Sequence, residues 1–329
     1  MNAQRNNVIF GTGLLARAAQ HLDLNRRVLI VTDDGVPARY AETLAAQCAQ
    51  PTLLCLPQGE GSKSFARLQD LLSAMVRAGF SRVDRVVAVG GGMVGDLSGF
   101  AAACYMRGVD FYNIPTTLLS QLDSSVGGKT AIDFEGIKNI VGAFYPPKKV
   151  LIDPGLLETL PDRQLAAGIA EAIKIAAVRD AALFAAIEAL PDLRADLTEI
   201  IRRGVENKLD VVEADPLENG LRRILNFGHT IGHAIEAFAG GALLHGECVA
   251  LGMLPMCSAA VRARLEPLLA RFGLPTKTDI APGDILEYMI HDKKAQGQVI
   301  RTVFVETLGS FQLRDMRPEE LLQAMEDAL

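Results

Sequence analysis

The sequence predicts an N-terminal α/β domain, Rossmann-like and built on a parallel sheet, followed by an all-α domain, with the change near residue 155. Three observations carry this. The first half alternates short β-rich runs with helical stretches. One of those runs ends in a glycine cluster that opens a helical stretch. From Pro161 onward the chain turns to Ala, Leu, Ile and Glu at helical spacing. Strand, helix and strand in alternation give a parallel sheet with helices on both faces, and ligands of such sheets bind beyond the C-terminal ends of the strands.

Taken in order, Arg27 to Thr32 (RVLIVT) reads as a strand and Pro51 to Leu56 as a second. Arg85 to Val89 (RVVAV), Phe111 to Pro115 and Val150 to Asp153 follow. Phe65 to Ala78 and Asp96 to Tyr105 carry helical patterns between them. In the second half Asp162 to Arg179, Leu183 to Leu190, Leu197 to Glu213, Arg222 to Ala239 and Glu247 to Leu265 are the expected helices. The domains expected are residues 1–155 and 156–329.

Composition narrows the function classes. The 329 residues are 49% hydrophobic and 22% charged, which permits a sizeable core in one large domain or two ordinary ones. A net charge of −6 without a block of like charge argues against a nucleic-acid surface, so an anionic ligand would need a local basic pocket. The five cysteines are odd in number and form no CxxC pair, as expected of reduced thiols in a cytoplasmic protein. Met1 to Val8 is polar, unlike a signal peptide, and no apolar run approaches the roughly 20 residues that span a bilayer. No membrane partner is expected.

Gly90, Gly92 and Gly95 fit G-x-G-x-x-G between a strand and a helix. Glycines there let backbone approach a pyrophosphate, and the helix N-terminus favours an anion. Asp96 would sit in the first helical turn. A tight strand-to-helix turn without a ligand gives the same pattern, and an ordinary fingerprint would open the domain instead of arriving this late. Gly127-Gly128-Lys129-Thr130 resembles the tail of a phosphate loop, but Asp123 stands where that motif needs its first glycine, which argues against a nucleotide triphosphatase.

The densest chemical signal is LRRILNFGHTIGHAIE, Leu221 to Glu236. On one helix, Arg222, Asn226, His229 and His233 would share a stripe. The chain has only five histidines, and His245 follows closely in LLHGE. A catalytic zinc takes three protein ligands and keeps one position open. Glu171, a charge inside the apolar helix GIAEAIK, suits the carboxylate ligand, with Lys174 one turn on. Two hydrogen-bonded core histidines would fit the HxxxH spacing as well. Thr230 occupies the glutamate position of H-E-x-x-H, so this is not that protease signature.

Seven segments in order, GGGMVGDLSGFAAACYMRG, PTTLLSQLDSSVGGKTAID, GAFYPPKKVLIDP, AEAIK, LNFGHTIGHAIE, LHGE and HDKK, resemble the 3-dehydroquinate synthases of the shikimate pathway over about Val28 to Val305. The resemblance implies a cytoplasmic, NAD- and Zn2+- (or Co2+-) dependent phosphorus–oxygen lyase, usually homodimeric, with its active site in a cleft between the two domains. It implies a small phosphorylated sugar acid as substrate. It assigns the metal to Glu171, His229 and His245. It assigns NAD to Glu60, Lys63, Gly92, Met93, Val94, Gly95, Asp96, Thr116, Thr117, Lys138 and the segment Leu156, Leu157, Glu158, Thr159. It assigns substrate to Arg107, Asp123, Lys129, Asn139, Lys174, Lys208, Arg222, Asn226, His233, Lys293 and Lys294. Glu218 and His233 are the implied proton-transfer groups, joined at the reacting centre by Lys129, Arg222 and Asn226. The chain departs from the family pattern at Ala167, where an Asn is common, and in DFEGI before Lys138. Other sugar-phosphate cyclases, such as 2-deoxy-scyllo-inosose synthases, share the NAD and metal elements, and glycerol-dehydrogenase-like enzymes share the layout. A non-catalytic nucleotide-binding regulator would have no need of metal ligands and a cationic pocket.

Overall fold

The structure, a computed structural model, describes residues 5–218, 220–292 and 299–329. The chain forms two compact units, Met1–Leu160 and Pro161–Leu329. The turn Pro154–Thr159 stays with the first unit because Leu156 is buried in that unit's core and Tyr40 Oη donates to its carbonyl at 3.4 Å.

The first unit holds β1 (Val8–Phe10), β2 (Arg27–Asp33), β3 (Gln50–Leu56), β4 (Arg85–Gly90), β5 (Asp110–Pro115), β6 (Lys129–Phe134), β7 (Ile137–Phe144) and β8 (Lys149–Ile152). Its helices are α1 (Ala38–Ala45), α2 (Phe65–Arg77) and α3 (Gly92–Cys104). Six strands form one sheet in the order β1-β8-β5-β4-β2-β3, parallel throughout. Apolar runs suit it because both faces are covered. Val28 and Ile30 of β2 pack on the α1 side, and Leu29 and Val31 pack under α2 and α3. The order turns at β2, which has β3 on one flank and β4 on the other, and such a reversal opens a crevice at the strands' C-terminal ends.

The stretch from Lys129 onward, polar and glycine-rich at its start, forms an antiparallel hairpin of β6 and β7. Gly127 and Gly128 adopt φ values of 111° and 69° on entering β6, so GGKT leads into a strand and not into a helix N-terminus.

The second unit holds α4 (Asp162–Arg179), α5 (Ala181–Glu188), α6 (Thr198–Ala214), α7 (His229–Ala239), α8 (His245–Met253), α9 (Ala259–Arg271), α10 (Pro282–Asp292) and α11 (Pro318–Glu326). It also carries one antiparallel hairpin, β9 (Ile300–Phe304) with β10 (Gln312–Met316). Two expected helices are broken. Arg222 to Ala239 divides into a 3-10 turn, Leu221–Asn226, and α7, because Phe227 is extended and Gly228 is left-handed at φ 75°. A Cβ on Gly228 would lie 2.6 Å from Met253 Cγ, so α8 passes directly over the break. Glu247 to Leu265 divides at Leu254-Pro255-Met256, where proline lacks the helical N–H, and Ser258 caps α9 by accepting from the Val261 N–H at 3.3 Å. Among the described residues, no helix is long and apolar enough to cross a membrane.

Candidate functional site

In the first unit the glycine motif falls at the reversal in strand order. β4 ends at Gly90 and α3 starts at Gly92 with no side-chain cap, which leaves its leading N–H groups facing outward for an anion. A Cβ on Gly92 would meet Ser124 Oγ at 3.0 Å, so a side chain there would fill the approach. Among the described residues, Ser124 Oγ is itself buried without a hydrogen-bond partner, as is Thr32 Oγ1 at the end of β2. Thr116 N donates to Gly90 O at 2.9 Å, which puts the threonine pair beside the turn.

Asp96 stands one turn deeper in α3 than the sequence suggested, as the fifth helical residue, because the helix starts at Gly92. It forms an ion pair with Lys63 at 2.9 Å, and Glu60 lies 3.3 Å from the same ammonium. Burial would lower Lys63, but Asp96 and Glu60 outweigh it and keep the ammonium charged. Burial raises Asp96 to about 6 against the pull of Lys63. Lys63 also donates to Asn139 Oδ1. Asn139 is left-handed at φ 57°, held by its N–H to Asp133 Oδ1 at 2.8 Å. The expected substrate residue Asn139 and the expected NAD residues Glu60, Lys63 and Asp96 therefore form one network. Lys129 and Lys138 lie exposed on β6 and β7. Asp123 lies in a single π-turn, Ser120–Ser124, a local distortion often found at functional sites. In the turn Pro154–Thr159, Thr159 Oγ1 is 3.2 Å from Tyr40 Oη.

Asp33 and Asp34, which the sequence did not single out, also lie beside this turn's strand, at the end of β2. Asp33 closes β2, is buried, and accepts from Gly35 N at 2.9 Å; Asp34 accepts from Gln58 N at 2.7 Å. An acidic pair after a strand next to the glycine-bearing strand was the available signal.

Arg107 is separated from this edge. α3 runs 13 residues back from Gly92, so Arg107 lies about 20 Å away, towards the N-terminal ends of the strands. It sits in a turn where Met106 and Arg107 have φ of 49° and 67°.

In the second unit Glu171 (α4), His229 (α7) and His245 (α8) converge. Glu171 Oε1 is 3.9 Å from His229 Nε2 and 3.6 Å from His245 Nε2. Two donors on one tetrahedral zinc are about 3.4 Å apart, so a small contraction would satisfy an ion. The Glu171 carboxylate is buried, and neither oxygen has a hydrogen bond of regular geometry. Lys174 pairs with it. Burial would raise Glu171, but Lys174, then His245 and His229, hold it well below the usual carboxylate range. Burial, with Lys174 adding to it, keeps His229 neutral and therefore ligand-competent. Burial would lower His245 too, but the carboxylates of Glu171 and Glu236 on either side of the ring raise it to about 10. The donor set of one carboxylate and two imidazoles fits a divalent metal.

His233, one turn beyond His229, packs against His229 and His245 with ring centroids 5.2 and 5.7 Å away. Its nitrogen lies within 4.8 Å of theirs, which brings a third imidazole to the centre. The expected single helical stripe is not formed, because Arg222 and Asn226 belong to the 3-10 turn. Arg222 is buried, donating from its N–H to Asp215 Oδ2 at 3.0 Å and from Nη1 to Pro216 O at 2.9 Å. Asn226 Nδ2 donates to Glu218 Oε1 at 3.0 Å, and Glu218 is held at φ 61°. Lys208 is buried on α6. Lys293 and Lys294 lie outside the described residues.

The comparisons agree in direction. Residues 53–167 match the family model described as 3-dehydroquinate synthase N-terminal, and 168–295 match 3-dehydroquinate synthase C-terminal. The chain is 42% identical over 325 residues to the 3-dehydroquinate synthase of Latilactobacillus sakei, covering 94% of this chain and 92% of that one. A crystal structure of 2-deoxy-scyllo-inosose synthase complexed with carbaglucose-6-phosphate, NAD+ and Co2+ matches with a TM-score of 0.88 at 27% identity, covering 98% of this chain and 96% of that one. The 2-epi-5-epi-valiolone synthase of Streptomyces hygroscopicus, with NAD+ and Zn2+ bound, matches at 0.87 and 30%, covering 97% and 95%.

Proposed function

The chain belongs to the 3-dehydroquinate synthase family, and from that premise we propose how its residues divide the family's reaction. That reaction converts 3-deoxy-D-arabino-heptulosonate 7-phosphate to 3-dehydroquinate and phosphate, a phosphorus–oxygen lyase step of the shikimate pathway. The substrate's C5 hydroxyl is oxidised, the ketone acidifies C6, phosphate leaves, C5 is reduced again and the opened enol closes by aldol addition. NAD+ supplies a reversible hydride acceptor, and the divalent metal supplies a Lewis acid for vicinal oxygens.

The turn from Gly92 to Asp96 binds the pyrophosphate on uncapped N–H groups, and Lys63 with Glu60 fixes that edge. Thr116, Thr117, Lys138 and the segment Leu156 to Thr159 complete the nucleotide set, and Asp33 serves the ribose. Glu171, His229 and His245 hold the metal. Lys129, Lys174, Lys208, Arg222 and one of Lys293 and Lys294 neutralise the substrate's carboxylate and phosphate, and Asp123 and Asn139 orient its hydroxyls. Glu218, buttressed by Asn226, and His233 hold and move protons at the substrate oxygens. The leaving phosphate supplies a base of its own, so His233 is left with orienting and relaying.

The observation that carries this reading is the buried Glu171 carboxylate, whose Oε1 faces two imidazole nitrogens at 3.9 and 3.6 Å. Lys174 pairs with Oε2, and a divalent cation on Oε1 would draw in the two imidazole nitrogens that face it. The test is phosphate release from the heptulosonate phosphate with catalytic NAD and added zinc, with and without a chelator. Chelator-sensitive release without net NADH is expected. No release from the loaded protein would move the substrate to a sister cyclase.

We also propose a cytoplasmic homodimer. The hairpin exposes Phe134, Ile137, Ile140 and Phe144, while Val141 and Ala143 pack inward. Arg107, at the opposite ends of the strands from the glycine turn, would reach a substrate more readily from a second copy.

A further inference from the structure

We infer that Glu236 is a positioning residue for the metal centre, orienting His245 through its carboxylate so that the Nε2 lone pair is presented to the ion. This rests on the reading of Glu171, His229 and His245 as ligands. Glu236 Oε2 lies 3.2 Å from His245 Nδ1, on the opposite side of the ring from the Nε2 that faces Glu171 at 3.6 Å. The two imidazole nitrogens thus have separate partners. A carboxylate accepting from Nδ1–H fixes the tautomer whose Nε2 is free to ligate, and it makes that nitrogen a stronger donor.

Glu236 reaches this position because of its helix. It follows His229 by seven residues on α7, two turns along the same face, so one helix supplies a ligand and the group that orients another. Its side chain is only 12% exposed, which makes the interaction stronger than at a surface. The two ligating imidazoles are held unequally. His229 Nδ1 lies 3.2 Å from the carbonyl of Phe227, a neutral acceptor two residues away in its own chain. His245 is held by a charged acceptor from another helix. Loss of Glu236 should therefore act through His245 alone and leave the geometry of His229 intact.

The experiment strips the full-length protein of metal and titrates Co2+ back against a chromogenic chelator, for the parent, Glu236→Gln, Glu236→Ala, Glu236→Asp and His245→Ala. The Gln and Ala variants should bind Co2+ about 10- to 100-fold more weakly, with an altered visible Co2+ spectrum. Glu236→Asp should recover part of the affinity. NAD binding and the unfolding temperature of the metal-free protein should match the parent, which separates an effect on the metal from a general loss of fold. Parental affinity and spectrum in both Gln and Ala variants would overturn the inference. If His245→Ala still binds Co2+ as the parent does, the ligand assignment itself fails. If it loses Co2+ while the Gln and Ala variants keep it, only the role of Glu236 fails.

Discussion

Gly246 and Ala167 meet backbone to backbone: a Cβ on Gly246 would lie 1.9 Å from the Ala167 carbonyl oxygen. Gly246 follows His245 at the start of α8, and Ala167 lies four residues before Glu171 on α4, so this contact sets the separation of two expected metal ligands. The contact is reinforced from the side. Glu247 accepts from Leu244 N at 2.7 Å, and Arg163 grips the same carboxylate at 2.7 and 2.8 Å. The LHGE motif is thus a positioned corner: His245 is the expected ligand, Gly246 permits the approach, and Glu247 ties the turn to α4. Ala167 itself is buried against α8, where the family's Asn would need a partner.

Gly246→Ala should therefore separate α4 from α8. Overpacking of this kind costs about 1–3 kcal/mol, and the displaced Glu171–His245 pair should bind metal more weakly. Denaturant unfolding with and without chelator, together with metal content, checks both effects. Gly283→Ala is the control, since nothing lies within 4 Å of its added Cβ, and its stability should stay within about 0.5 kcal/mol of the parent. Parental metal content in Gly246→Ala would mean the contact does not set the ligand spacing.

Metal affinity should rise with pH. In the metal-free chain His245 is raised from 6.5 to about 10, so at neutral pH a proton must leave before the ring can ligate. Affinity should increase about tenfold per pH unit toward that value and then level. Proton release on Zn2+ binding, measured by calorimetry in buffers of different ionisation enthalpy, should be about one per site at pH 7.5. The metal-free fold should show the converse. The stability contributed by protonated His245 is fully present below 6.5 and is lost as pH rises through about 10. Metal affinity independent of pH between 6 and 8 would contradict this account.

Asp96 gives a separate pH signature in the first unit. Its carboxyl is raised from 3.8 to about 6, so the folded chain holds this proton more tightly than the unfolded chain does. The group's contribution to stability is present below pH 3.8, declines as pH rises through about 6, and is constant above that. The difference in unfolding free energy between the parent and Asp96→Asn should therefore slope between pH 4 and 6 and stay level from 7 to 8. NAD affinity of Asp96→Asn should fall because Lys63 loses its 2.9 Å partner. A flat difference across the whole range would show that burial does not hold the proton.

The sequence carried the parallel sheet because β2 and β4 are continuous apolar runs, and α4 because its pattern runs unbroken from Asp162 to Arg179. It did not carry the break before His229. A lone glycine inside a helical pattern is usually tolerated, and only the passage of Met253 over Gly228 shows why a helix could not continue. The hairpin of β6 and β7 was hidden for a different reason. Its exposed face is apolar, so the alternation that would mark a strand is blurred in Ile137 to Phe144. Histidine scarcity pointed to the cluster of His229, His233 and His245, while Glu236 was not legible, since its partner lies nine residues on across a turn.

The exposed hairpin makes the last prediction. Ile140 and Phe144 are exposed on β7, and Phe134 on β6 is exposed as well, its ring meeting Phe65 edge-on at 5.4 Å between centroids. A group of large apolar side chains on one exposed hairpin is the kind of surface that a second copy covers. The parent should sediment as a dimer, and Ile140→Asp with Phe144→Asp should shift it to monomer at micromolar concentration. Val141 and Ala143, which anchor the hairpin to the core, are untouched, so circular dichroism should be unchanged. If Arg107 serves the partner's substrate, the monomer should keep NAD and metal binding but lose turnover. A monomeric parent, or a variant that remains dimeric, would assign the hairpin to another role.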